Sequence, residues 1–91
     1  MASEIIELSE GVWTQVTTTD KEGSIRHKSG EGVIIYLESA ALPTVFDADT
    51  PDMEQTYRGD TFPYYGIAAG ENMYAYSLNG DSVIVKSPKG A

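Results

Sequence analysis

Short runs of β-branched and aromatic residues recur along the chain between Gly, Pro, Asn and Asp, and no window repeats its apolar residues at helical spacing. The runs predict strands near residues 4–8, 12–18, 23–27, 32–37, 54–58, 62–67, 73–78 and 81–86. Ala40–Leu42 offers one helical turn at most. Strands at this spacing predict an all-β fold, a small antiparallel β-sandwich or jelly-roll-like barrel, as a single domain over 1–91.

The sharpest local signal is "NMYAYSLNGDSVIVK". Asn79-Gly80 suits the two positive-φ positions of a type I′ turn, and alternating sequence flanks it, so a two-residue hairpin is predicted. Its register sets Leu78 against Asp81, Tyr76 against Val83 and Tyr74 against Val85 on one bulky face, assigned to the core. Ser77 with Ser82, Ala75 with Ile84 and Met73 with Lys86 fall on the other face.

Two further stretches carry more apolar surface than a strand with one wet face needs. Every position from Val33 to Leu37 is apolar, which places the strand under a second layer or against another chain. In "VWTQVTTT", Val12, Thr14 and Val16 share one face and Trp13, Gln15 and Thr17 the other. Trp13 is either a core anchor placed by a bulge or an interface anchor. A long connection at about 38–53 holds Val45 and Phe46, which are expected to tuck against the domain or a neighbour.

Composition narrows the chemistry. The 91 residues suit one small domain, with no cysteine for a disulfide or thiolate site and a single histidine. Of the usual supports for a small core, subunit contact is the one left open. The net charge of −8 and the scattered lysines and arginines argue against nucleic acid. "MASEIIELSE" does not read as a signal peptide, and no apolar run is long enough for a helix to cross a bilayer. A soluble protein is expected.

Arg58-Gly59-Asp60, in "TYRGDTFPYYG", matches an adhesion tripeptide, but Gly-Asp between two strands is ordinary turn chemistry. It reads as a turn, with Arg58 and Asp60 available for an intersubunit ion pair. Asp47, Asp49 and Asp52 fail the calcium-loop pattern, since Pro51 and Asp52 fall where an acid and a glycine belong. His27, between Arg26 and Lys28, reads as a surface strand residue, and no nucleophile motif is present. No enzyme activity, metal or cofactor is expected. Among the tyrosines, Tyr57, Tyr64 and Tyr65 remain for an aromatic patch around Gly59, suited to a glycan or receptor.

In chain order, "GVWTQVTTT", "GEGVIIYLES", a later proline, "RGDTFPYYG" and "NMYAYSLNGDSVIVK" resemble small β-rich virion proteins of tailed bacteriophages. The likeness lies in the order of strands and turns over nearly the whole chain and carries no catalytic residues. It implies a structural protein of the virion (head decoration, neck or tail accessory), made in the bacterial cytoplasm. Its partners would be other virion proteins and its own copies, a trimer favoured over a dimer. The candidate contact residues are Trp13, Val33, Ile35 and Ile84 for their apolar excess, with Tyr57, Arg58, Asp60, Tyr64 and Tyr65 near the turn.

Overall fold

The computed structural model describes residues 3–17, 22–30, 33–43 and 54–88. They form eight strands: β1 (Glu4–Leu8), β2 (Thr14–Gln15), β3 (Gly23–Ser29), β4 (Ile34–Ser39), β5 (Glu54–Thr56), β6 (Thr61–Tyr64), β7 (Asn72–Ser77) and β8 (Ser82–Pro88). Each predicted strand is present, with β2, β5 and β6 shorter than expected. Two antiparallel four-stranded sheets, β1-β8-β3-β6 and β2-β7-β4-β5, pack face to face as a sandwich.

Period-two alternation explains the core. Ile6 and Leu8 on β1, Ile25 on β3, Tyr64 on β6 and Ile84 on β8 point inward from one sheet. They meet Ile34 and Tyr36 on β4, with Met73 and Ala75 on β7. Phe62 closes edge-on against Tyr36, ring centroids 4.8 Å apart. Each such large side chain contributes roughly 1.5–3 kcal/mol by leaving water.

The predicted 73–86 hairpin does not form. β7 pairs with β2 and β4, whereas β8 pairs with β1 and β3, so the chain crosses between sheets at Asn79-Gly80. The positive φ values are present, 60° at Asn79 and 119° at Gly80, but they make a corner. Leu78 N donates to Val33 O at 2.9 Å, and Asp81 Oδ1 accepts from Glu10 N at 2.9 Å. Inside the corner the Ser77 and Ser82 hydroxyls lie 2.9 Å apart, and Ser77 Oγ donates to Gly80 O at 2.6 Å.

This crossing reverses the predicted faces. Met73, Ala75, Ser77, Ser82, Ile84 and Lys86 are buried on the inner faces of their strands, and the bulky Tyr74, Tyr76 and Leu78 lie outside. Bulk misled because the opposing residues already fill the gap. Small side chains on β7 leave room for Tyr36, Ile34 and Leu8 at the density of a packed interior.

A bulge on β3 supports the same corner. His27 stands opposite Ile84 and Ser29 opposite Val83, so β3 spends one extra residue there. Gly30 follows at φ 106°, and a Cβ on it would collide with the Ser82 hydroxyl and the Asp81 carbonyl. Only glycine fits. Of the long connection, residues 44–53, including Val45 and Phe46, lie outside the described residues.

We predict that Asn79→Ala with Gly80→Val lowers stability by about 1–3 kcal/mol, because both residues would keep positive φ with a Cβ. Chemical denaturation measures it; an unchanged midpoint would mean that the corner does not need these dihedrals.

Candidate interaction surfaces

Arg58-Gly59-Asp60 is a turn. Asp60 N donates to Tyr57 O at 2.9 Å, and Gly59 at φ 94° takes the positive-φ position of a type II turn. The Asp60 carboxylate closes it, accepting from Tyr57 N at 2.8 Å. His27 N donates to Asp60 O and Gly59 N to His27 O, both at 2.9 Å, so β3 stitches the turn to the sheet. Arg58 and Asp60 are both exposed there. The carboxylate that an adhesion ligand would present is already engaged by the backbone of Tyr57.

The expected aromatic patch around Gly59 is not assembled. Tyr57 and Tyr65, 58% and 71% exposed, sit at opposite ends of β6, and Tyr64 is buried in the core. Alternation along β6 sends neighbouring side chains to opposite faces, so Tyr64 and Tyr65 separate. Tyr65 instead borders a cleft of about 320 Å³ at the far end of the sandwich, lined by Glu38, Phe62, Pro63, Tyr64, Tyr65 and Met73.

The outer face of the β2-β7-β4-β5 sheet carries a second apolar cluster. Trp13, Ile35 and Tyr74 are buried at its centre, and Val33, Leu37, Tyr76 and Leu78 are half-buried around them. Trp13 gets there because Ser9–Val12 turns: Val12 N donates to Ser9 O, and Gly11, at φ 73°, donates to Ser77 O at 3.0 Å. Its ring tilts 54° to Tyr76 with centroids 5.0 Å apart. Trp13 therefore anchors an apolar layer within its own chain, outside the intersheet core. The five apolar residues Val33–Leu37 resolve the same way: Ile34 and Tyr36 face inward, the other three outward. Ile84, predicted as a contact residue, is wholly buried between the sheets and is corrected to a core residue.

The other sheet's outer face is mixed. Ser3, Ser24, Arg26, Thr61, Val85 and Ser87 line a shallow hollow of about 280 Å³ there.

His27, read from the sequence as a surface residue, is among the buried polar side chains, as are Lys86 and Thr56. His27 is 1% exposed, and neither ring nitrogen makes a hydrogen bond. The alternation Ile25, Arg26, His27, Lys28 carried this signal, since it puts His27 on the face of Ile25. Lys86 points inward with its whole side chain buried, and its ammonium lies 3.6 Å from Oε2 of the exposed Glu4. Thr56 Oγ1 donates to the Tyr36 hydroxyl at 3.2 Å. Among the described residues no His, Cys, Asp or Glu group is arranged to hold a metal; Asp47, Asp49 and Asp52 lie outside them.

Comparison with protein-family models, with curated proteins and with solved structures finds no match to this chain.

Burial pushes the Tyr36 hydroxyl up to about 12 from its ordinary 10.0; the Thr56 hydrogen bond offsets part of this, and the Asp60 charge adds to it. The folded state thus keeps a proton that the unfolded chain releases. The stabilisation is complete below pH 10 and is lost as pH rises through 12. We predict that stability falls across that window by up to about 1.4 kcal/mol per pH unit more than in Tyr36→Phe. Parallel slopes for the two proteins in alkaline denaturation would refute the assignment.

Proposed function

We propose that this chain is a non-catalytic structural module that assembles with its own copies through the outer face of the β2-β7-β4-β5 sheet. The observation that carries the reading is the apolar layer of Val33, Leu37, Tyr76 and Leu78 around Trp13, Ile35 and Tyr74. A sandwich that worked alone would alternate polar residues onto this face. Each Å² covered contributes roughly 25 cal/mol before association costs, so the half-buried rim supplies a driving force. Closed cyclic symmetry is the usual outcome for identical subunits.

The setting we propose is a tailed-phage virion, as a head decoration, neck or tail accessory protein synthesised in the bacterial cytoplasm. It rests on the resemblance in strand and turn order, which also favours a trimer. Other virion proteins are the further partners on this reading. With a net charge of −8, nucleic acid is not among them.

A second reading, a glycan- or receptor-binding module, draws on the cleft beside Tyr65. Phe62 and Tyr65 offer aromatic surface there, and Glu38 a carboxylate, as sugar hydroxyls require. The same purified chain discriminates. Saturable glycan binding, lost in Tyr65→Ala, would favour this second reading.

For self-association, light scattering coupled to size exclusion is expected to give a mass about three times the 9.9 kDa of the chain. Leu78→Asp, at the half-buried rim, should yield a folded monomer. A wild-type monomer at micromolar concentration would remove the assembly reading.

A further inference from the structure

Four strands stand at sheet edges: β1 and β6 in one sheet, β2 and β5 in the other. An edge offers a row of N–H and C=O groups to an incoming strand unless shortness, proline or a bulge spoils it. β2 has 2 residues and β5 has 3. β6 carries Pro63, which has no N–H to give. β1 has none of these three and is guarded only by charge, through the exposed Glu4 and Glu7. It pairs residue for residue with β8 from Glu4↔Lys86 to Leu8↔Ser82, and no strand among the described residues covers its other side. Ile6 and Leu8, set in the core, hold it in register, and Ile5 is 62% exposed.

We propose that β1 is a docking edge, taking one extended segment of a basic partner protein as a fifth strand of the β1-β8-β3-β6 sheet. Charge selects the partner. Glu7 is exposed along β1 and Glu10 follows it, while the exposed Glu4 already meets Lys86. The β1 of a second copy, Glu-Ile-Ile-Glu-Leu, has no basic side chain to set against Glu7. Like charges set side by side across a strand pair are unfavourable. A basic side chain opposite Glu7 and apolar ones opposite Ile5, Ile6 and Leu8 would continue both faces of the sheet. Backbone hydrogen bonds then supply affinity and the alternating side chains specificity. The edge belongs to the sheet that the self-association face does not use, so either proposal stands or fails alone.

The test titrates the isotope-labelled full chain with the capped peptide Thr-Val-Lys-Val-Val-Lys-Thr, written to lie antiparallel to β1, and follows it by NMR. Saturable shifts and exchange protection are expected at the amides of Glu4–Leu8. Methylating alternate peptide nitrogens along the β1-facing side should weaken binding at least about tenfold, because strand pairing needs those donors. Replacing both peptide lysines by glutamate should do the same. Glu7→Lys, an exposed change, should reverse that preference. No saturable binding, shifts that map elsewhere, or equal binding by the methylated peptide would overturn the proposal. So would protection of β1 that grows with protein concentration alone, which would make a second copy the occupant.

Discussion

The arrangement depends on the corner at Leu78–Asp81. Two strands joined by so few residues ordinarily lie side by side, yet here they enter different sheets. Leu78 N bonds to Val33 O, and the Asp81 carboxylate accepts from Glu10 N, so each arm of the corner is tied to a different segment. The Ser77 hydroxyl donates to Gly80 O and lies 2.9 Å from the Ser82 hydroxyl, so the buried polar groups of the corner are paired. Gly30 makes the close approach possible by having no Cβ to set against Ser82. Because β7 and β8 leave the corner into opposite layers, Ala75 and Ile84 are enclosed between the sheets. Tyr74 and Tyr76 are turned outward.

The outward-facing surfaces follow from that inversion. Had β7 and β8 paired, Tyr74, Tyr76 and Leu78 would belong to the core and the second sheet would lack its outer apolar layer. Instead Trp13 caps a layer in which Ile35 and Tyr74 are already buried, while Val33, Leu37, Tyr76 and Leu78 keep part of their surface. The other sheet has no such layer; its regular edge, β1, is its distinguishing feature. The two sheets thus differ in what they offer, one a face and the other an edge. The turn at Gly59 and the cleft beside Tyr65 lie at opposite ends of β6, which divides any polar recognition between two poles.

The interior tolerates polar groups for distinct reasons. Lys86 is buried whole, and its ammonium is offset by the Glu4 carboxylate at 3.6 Å. Tyr36 brings a hydroxyl into the core and finds Thr56. Both ring nitrogens of His27 and the indole Nε1 of Trp13 are buried without a hydrogen-bond partner, and each such group costs roughly 1–3 kcal/mol. The His27 backbone, by contrast, is fully used in holding the Gly59 turn.

Local chemistry was legible along the chain. Alternation and turn residues marked all eight strands, Gly-Asp marked the turn at Gly59, and Asn79-Gly80 marked a pair of positive-φ residues. These depend on φ, on side-chain branching and on the period of a strand, all local to a few residues. Which strands become neighbours is not local. The same Asn-Gly pair serves a hairpin or a corner, and the choice lies with partners far away in sequence, here Val33, Glu10 and Ser29–Gly30. The inner and outer faces of β7 and β8, and with them the places of Ile84, Trp13 and Tyr64, were therefore decided only when the two sheets packed. Volume across the interface, rather than the bulk of any one strand, determines which face is buried.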